Sequence, residues 1–182
     1  MSAKKMLNIR TINVKTNFDK ALKKLNFSKC SVAKRAGMPS GSLGSVLLHN
    51  NPTMRQLYKI SCGIGVSIRY LMEGGDVEEE LKKNYIFEAM CEPQLKKGWE
   101  PKKPNVSARV QMILREKGIR KLEAAHRINA LPSWWSPILK MNNPTILVLE
   151  RIAYALEVKP FELVDPVSPV DYAEIIMPPI SF

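Results

Sequence analysis

Apolar residues recur at helical spacing in short segments that are separated by turn and capping residues. Between residues 16 and 73 these signals predict five helices, near 17–25, 29–36, 40–48, 54–64 and 68–72. Within the segments, apolar positions lie three and four residues apart, as one face of a helix requires. Ser28, Thr53 and Ser67 are predicted N-caps, and Gly37 stands where a left-handed residue ends the second helix. The pattern predicts an all-α fold.

The same pattern occurs a second time, 92 positions further along the chain, without an insertion. Residues 13–72 align with 105–164, and the run Asn-Asn-Pro-Thr at 50–53 falls on the same four residues at 142–145. The other identities are mostly apolar or helix-boundary positions, so we expect the repeated feature to be a fold. Asn129 replaces Gly37, and asparagine also tolerates the left-handed conformation.

The repeat predicts four parts, at 1–75, 76–104, 105–165 and 166–182. The second part begins with an amphipathic helix predicted at 76–90 and continues as a linker rich in proline and lysine. The fourth part is a proline-containing tail with an apolar run at 172–177. That run is compatible with disorder, with an added strand, or with a segment that plugs a groove in a partner.

The charge does not repeat with the fold. Residues 1–75 contain 13 Lys and Arg against 2 Asp and Glu, whereas residues 106–182 contain 9 against 8. A basic domain indicates a polyanionic partner, most often nucleic acid. The alternative is a solvated, highly soluble surface.

Several classes of protein do not fit the sequence. It lacks an apolar run of about 18 residues, the length of a membrane span, and its first ten residues do not resemble a signal peptide. Three unevenly spaced cysteines indicate reduced thiols in the cytoplasm and no metal site. Cys30 and Cys62 are predicted to be small packing residues. We find no phosphate-binding loop, nucleophile elbow or paired carboxylates, so we expect neither an enzyme nor a cofactor.

Two segments of the first repeat carry a family resemblance. Residues 27–33 (FSKCSVA), followed by Gly37 and by 40–44 (SGSLG), together with 64–71 (IGVSIRYL), resemble the DNA-binding domain of the Cro/lambda-repressor helix-turn-helix family. The resemblance covers 16–73 closely and 106–164 more loosely. It implies two five-helix, lambda-repressor-like helix-turn-helix domains, joined by a helix and a Pro/Lys linker.

In this family the third helix lies in the major groove and the second crosses the DNA backbone. The resemblance therefore implies that DNA contacts come from the second and third helices, the loop after them and the N-terminal arm. These residues are Lys29, Ser40, Gly41, Ser42, Ser45, His49, Asn50, Asn51, Lys4 and Lys5. Two alternatives stay open: the serines and glycines serve only turn chemistry, and the arm has no role.

The second repeat departs from the family pattern at residues 132–137 (PSWWSP). Trp134 falls on Ser42, and Pro137 would cost about 3 kcal/mol inside a regular helix, unless the helix starts late with Ser136 as its cap. We therefore expect dimerisation or partner binding here. The candidate contacts are Trp134, Tyr172, Ile175 and Ile176. Lys121 and Arg127 are retained, so DNA binding by both repeats remains an alternative.

Together these features predict a sequence-specific, double-stranded DNA-binding transcriptional regulator in a bacterial cytoplasm. We expect a homodimeric phage or mobile-element repressor that acts by occluding a promoter. The alternative is a phage-encoded interaction module, such as an antirepressor, inhibitor or antitoxin, that binds a host or phage protein.

Overall fold

A computed structural model describes residues 10–83 and 106–164, and within these ranges it contains helices and no β-strand. The all-α class predicted from the sequence is therefore confirmed. The α-helices are α1 (Val14–Leu25), α2 (Lys29–Arg35), α3 (Ser40–His49), α4 (Met54–Ile64), α5 (Ile68–Glu73), α6 (Val77–Lys83), α7 (Val106–Glu116), α8 (Lys121–Arg127), α9 (Trp135–Met141) and α10 (Ile146–Leu156). Short 3-10 helices cover Pro132–Trp134 and Pro160–Leu163. Among the described helices, none has both the length and the apolar character to cross a bilayer.

The described residues form two compact units. One contains residues 13–83 and is called the basic unit below. The other contains residues 106–164 together with residues 10–12, and is called the second unit. The sequence pattern did not predict that residues 10–12 group with the second unit.

The helix starts of the basic unit follow its capping residues. The side chains of Ser28 and Ser67 each accept the backbone N–H three residues ahead, and Thr53 forms a reciprocal capping box with Gln56. α1 begins at Val14, three residues before the predicted position, because the side chain of Asn13 caps it. Polar side chains with short reach therefore set the boundaries of these helices.

The core of the basic unit lies among α1 to α5 and consists of buried apolar side chains. Its largest buried members are Phe18, Leu43, Met54, Leu57, Tyr58, Ile60, Ile64 and Leu71. Burying one leucine or isoleucine side chain stabilises a fold by about 1.5–3 kcal/mol. Helices α2 and α4 approach so closely at Gly63 that an added Cβ would lie 2.7 Å from the carbonyl oxygen of Val32 and 2.8 Å from the Cβ of Ala36. Glycine is therefore required at this crossing.

Several backbone features of the basic unit recur in the second unit. Helices α2 and α8 both have 7 residues, and α4 and α10 both have 11. Four left-handed positions also recur at a spacing of 92 residues. They are Asn26 and Gly118 (φ 54° and 63°), Gly37 and Asn129 (60° and 55°), Asn50 and Asn142 (49° and 50°), and Gly65 and Glu157 (83° and 54°). Two helix lengths and four helix-ending turns are thus shared by the two units.

The second unit accommodates its two unusual prolines by changing helix type. A 3-10 helix covers Pro132–Trp134, and α9 begins at Trp135. Pro137 is therefore the third residue of α9, where a backbone N–H has no intrahelical acceptor. The helix does start late, but it starts one residue before the predicted cap, Ser136. At the end of the unit, Pro160 opens a 3-10 helix.

A buried carboxylate ties residues 11 and 12 into the second unit. Glu150 lies in α10 and is 2% exposed. Its Oε1 atom accepts hydrogen bonds from the backbone N–H of Thr11 (2.5 Å), the hydroxyl of Thr11 (2.8 Å) and the backbone N–H of Ile12 (2.7 Å). Because a buried charge is costly unless it is hydrogen-bonded, these donors stabilise the carboxylate as well as the segment.

Candidate nucleic-acid interface

Helix α3 has one face in the core and one face in solvent. Leu43 and Leu47 are buried, whereas Ser40, Gly41 and Ser45 are exposed. Ser42 and Val46 are half-buried at the edge of the solvent face. The first turns of the solvent face therefore consist of hydroxyl groups and bare backbone, whereas its last turn carries Leu48, which is 71% exposed, and the exposed His49.

The two glycines of α3 are not required by packing within the described residues. A Cβ atom added to Gly41 or Gly44 would find no atom within 4 Å, and neither has a positive φ. Glycine inside a helix costs about 0.5–1 kcal/mol relative to alanine. No packing contact within the described residues compensates for this cost. The glycines instead leave a strip of helix backbone that a large ligand can approach closely.

Lys29 begins α2 and is predicted to contact phosphate. Its Nζ lies 3.6 Å from the carboxylate of Asp19 on α1, and the two side chains are 56% and 42% exposed. An ion pair this exposed contributes little to stability, so its effect is to orient the lysine. Nearby, the guanidinium of Arg35 lies 4.9 Å from the centroid of the Phe27 ring, which restrains the arginine by a cation–π contact.

Cys30 corrects one expectation. It is exposed, whereas Cys62 is buried as predicted. The Sγ of Cys30 lies 3.8 Å from the Oγ of Ser40, so the thiol lies where the start of α2 meets the start of α3. Val32 and Ala33 are the buried residues of α2, and residue 30 lies in the first turn, to the side of that buried face.

The loop after α3 holds the other predicted phosphate contacts. His49 is exposed at the end of α3, and Asn50 and Asn51 are half-buried. The Oδ1 of Asn50 accepts the backbone N–H of Lys15 at 2.9 Å, so this oxygen has a structural role that sequence reasoning missed. The predicted arm contacts Lys4 and Lys5 lie outside the described residues.

The charge of the basic unit is strongly one-sided. Residues 10–75 contain 11 Lys and Arg against 2 Asp and Glu. Those two acids are Asp19, paired with Lys29, and Glu73, whose Oε2 lies 2.7 Å from the Nε of Arg69. Further acids lie in α6, where Glu78 pairs with Lys24 and raises the pKa of that lysine through its hydrogen bond. Among residues 26–72, which include α2 and α3, the sequence has no acidic residue.

In the second unit several positions on or beside the equivalent of the α3 face carry larger, apolar side chains. Leu122 takes the place of Cys30 and is 52% exposed, and Leu131 takes the place of Pro39 and is 74% exposed. Trp134, at the place of Ser42, is half-buried, and its ring meets that of Trp135 edge-on with centroids 5.5 Å apart. Trp135 is 1% exposed, as predicted for a core residue.

The retained basic residues of the second unit differ in their surroundings. Lys121 is exposed. Arg127 is held inside the unit, because its guanidinium donates to Glu123 (2.8 Å), Glu157 (2.9 Å) and the carbonyl of Ala155 (3.1 Å). The other predicted partner contacts, which are Tyr172, Ile175 and Ile176, lie outside the described residues.

Comparison of the chain with protein-family models, with curated proteins and with solved structures finds no significant match.

Proposed function

We propose that the chain is a sequence-specific, double-stranded DNA-binding transcriptional regulator whose basic unit reads the major groove with α3. One observation carries this proposal: the solvent face of α3 contains two glycines that no packing within the described residues requires. They lie in a unit whose residues 10–75 contain 11 basic residues against 2 acidic ones. A helix with a bare outer face and a basic surround is suited to enter a groove lined by phosphates.

Each part of the face has a role in this proposal. The hydroxyls of Ser40, Ser42 and Ser45 donate to or accept from base edges, which gives modest discrimination because short hydroxyls suit several bases. Gly41 allows the backbone to approach the groove. Lys29 contacts phosphate and fixes the register of the helix on the duplex. Binding is expected to weaken steeply with salt, because phosphate contacts release counterions.

A more specific proposal, for the arrangement of the units and the biological role, follows from the resemblance to the Cro/lambda-repressor family. Both units then have the lambda-repressor-like helix-turn-helix arrangement, and the repeated left-handed turns support a shared frame. The chain is a phage or mobile-element repressor that occludes a promoter as a homodimer in the bacterial cytoplasm. The second unit provides dimerisation or partner binding, which its exposed leucines support.

The test separates DNA contact from fold stability. The variants Gly41→Ala and Gly41→Leu have space for the new side chain and replace glycine with good helix formers, so they are expected to stabilise the unit by up to about 1 kcal/mol. The same variants are expected to weaken DNA binding, more for leucine than for alanine. Selection of duplexes from a random pool supplies the target sequence for these assays.

The matched control is Ser133→Leu, which changes the exposed equivalent position of the second unit. It is expected to leave DNA affinity unchanged. If Gly41→Leu binds the selected duplex as tightly as the parent protein, α3 does not enter the groove. If Ser133→Leu alone weakens binding, the reading surface lies in the second unit.

A protein-interaction module is the second candidate. The exposed Leu122 and Leu131 favour it, because neighbouring exposed apolar side chains are typical of interaction sites. In this case the chain is an antirepressor, an inhibitor or an antitoxin. Titration with random duplex at low salt separates the two candidates, since negligible binding there contradicts DNA recognition and favours the interaction module.

A further inference from the structure

The second unit presents a contiguous apolar surface where the basic unit presents its small polar one. We call this surface the Leu131 face; it consists of Leu122, Leu131, Pro132, Trp134 and Pro137. Leu131 is 74% exposed, the highest value among the large apolar side chains of the described residues. Helix α8 contacts the 3-10 helix Pro132–Trp134, and α9 follows that helix directly, so the three elements form one surface.

The repeat supports this contiguity. In the basic unit the residues equivalent to Leu122 and Pro132 are Cys30 and Ser40, and their side chains lie 3.8 Å apart. Larger side chains at the same two positions therefore lie next to each other. Nothing in the fold forces them to be apolar, since the basic unit builds the same frame with cysteine and serine. An exposed apolar patch on such a frame marks an interaction site.

The charges beside the Leu131 face are positive. Arg120 and Lys121, at the start of α8, are both exposed. The acid of α8, Glu123, is bound to Arg127 on the same helix. Two copies of the face packed against each other through the start of α8 would bring these cations together, which is unfavourable. The charge pattern instead fits an occupant that is apolar and carries carboxylates.

We propose that residues 171–177 of the same chain (DYAEIIM) occupy the Leu131 face. This segment combines Tyr172, Ile175 and Ile176 with two carboxylates, Asp171 and Glu174, and residues 160–182 contain no Lys, Arg or His. Its apolar side chains pack on the leucines and Trp134, and its carboxylates lie near the cations of α8. The inference deepens the proposed partner-binding role of the second unit and rests on that part of the proposed function alone.

The segment is close enough in sequence to reach the face of its own unit. The described part of the second unit ends at Val164, and eight residue steps from there to position 172 span at most about 29 Å. A domain of this size has a radius of gyration of about 10 Å. A short tether gives an effective concentration of the order of millimolar, so the segment of the same chain outcompetes that of a second copy.

A disulfide test distinguishes the possible occupants in the full chain. Leu131→Cys and Ile175→Cys are combined in a background of Cys30→Ser and Cys91→Ser, which leaves only the buried Cys62. Mild oxidation is expected to yield an intramolecular disulfide in a chain of monomer mass. A control pair joins Ile175→Cys to Tyr154→Cys, because Tyr154 is 51% exposed on α10, outside the face. The control pair is expected to yield at least fivefold less disulfide.

The outcomes decide the proposal. Equal yields in the two pairs overturn docking on the Leu131 face, and a covalent dimer overturns it in favour of the segment of a second copy. Reversing the segment charge with Asp171→Lys and Glu174→Lys is expected to lower the yield severalfold, and adding Arg120→Glu with Lys121→Glu is expected to restore it. A disulfide yield that stays the same in both sets of variants contradicts the pairing of the segment carboxylates with the cations of α8.

Duplex binding is measured alongside disulfide formation, so that the docking proposal and the DNA-binding proposal can fail independently. If the disulfide fails to form while Gly41→Leu still weakens DNA binding, only the docking proposal is lost. If the disulfide forms and the parent protein does not bind duplex DNA, only the DNA-binding proposal is lost.

Discussion

The side-chain oxygen of Asn50 accepts the backbone N–H of Lys15 at 2.9 Å, so the turn after α3 holds the first turn of α1. The same bond joins Asn142 to Ser107 at 2.8 Å in the second unit. Both asparagines are left-handed, with φ of 49° and 50°. One residue type provides both the turn and the bond, which accounts for its place in the longest identical run of the repeat, Asn-Asn-Pro-Thr.

Asn50→Ala is expected to destabilise the basic unit by about 2–3 kcal/mol, since it removes a hydrogen bond and replaces asparagine, which tolerates the left-handed conformation, with alanine, which does not. Asn50→Gly loses the hydrogen bond but tolerates the left-handed turn. Its stability should therefore lie between those of the parent protein and Asn50→Ala. Urea denaturation of both variants measures the difference. If Asn50→Ala leaves stability unchanged and lowers DNA affinity instead, the side chain acts as a phosphate contact.

A proline at the equivalent positions 137 and 45 is expected to be tolerated in the second unit and to destabilise the basic unit. Pro137→Ala should change stability by less than about 0.5 kcal/mol, because residue 137 lies in the first turn of α9. Ser45→Pro, at the equivalent position, should cost about 3 kcal/mol or more, because it interrupts the continuous helix Ser40–His49. Thermal unfolding monitored by circular dichroism compares them. Equal effects would contradict the different helix starts.

Tyr70 is expected to make the basic unit sensitive to alkali. It is 2% exposed, and its hydroxyl has no hydrogen-bond partner among the described residues. Burial raises the pKa of Tyr70 above 10.0, and the charges of Glu80 and Asp76 raise it further. The fold therefore favours the neutral phenol, so this contribution to stability is complete below pH 10.0 and is lost as the pH rises through the raised pKa.

Tyr70→Phe should accordingly shift alkaline unfolding of the basic unit to higher pH, with little loss of stability at neutral pH because no bond of the hydroxyl is broken. A fluorescence-monitored pH titration gives the midpoint. Tyr154→Phe is the control, since Tyr154 is 51% exposed and should not move the midpoint. An unchanged midpoint in Tyr70→Phe would place the alkali-sensitive group elsewhere.

Glu150→Ala is expected to release residues 11 and 12 from the second unit. The substitution removes the acceptor of three hydrogen bonds, and bonds to a charged group contribute about 1.5–3 kcal/mol each. The amide protons of Thr11 and Ile12 should exchange at least roughly tenfold faster with solvent. Hydrogen exchange followed by NMR tests this, with the exposed Glu116→Ala as control. Unaltered protection would show that the carboxylate does not hold the segment.

Cys30 offers a probe of the α3 face in solution. A maleimide should label Cys30 rapidly in a Cys91→Ser background, whereas Cys62 is buried and should react slowly. If α3 lies in the groove, bound duplex should protect Cys30, and labelled protein should lose duplex binding. Rates are measured by mass spectrometry, with scrambled duplex as control. Labelling at the same rate with and without the selected duplex would place the contact away from this face.

Much of the helical frame could be predicted from the sequence, because short polar side chains set it locally. The caps at Ser28, Thr53 and Ser67 act within three residues of their own position. The left-handed turns at Gly37 and Asn129 are equally local. Where a boundary depends on two neighbouring prolines, as in 132–141, competing helix starts differ by one residue, and the predicted cap at Ser136 was off by that amount.

The features that the sequence did not reveal depend on residues far apart in the chain. Glu150 reads as one more charge on a helix, and only the fold brings it to Thr11. Asn50 matched a phosphate-contacting loop, and its bond to Lys15 spans 35 residues. Cys30 was predicted as a packing residue from its size alone. The exposure of Leu122 and Leu131 was not predicted, because it depends on how α8 and the turn before the 3-10 helix pack in the fold.

The repeated left-handed turns have a consequence for engineering. The asparagines and glycines at these turns set the course of the main chain. The exposed side chains between the turns can therefore be exchanged between the two units. If residues 39–45 replace residues 131–137, the second unit should present an exposed surface of serine and glycine, like that of α3. The reverse transplant should give the basic unit an apolar surface but destabilise it, because it introduces Ser45→Pro within α3 and Leu43→Trp in the core.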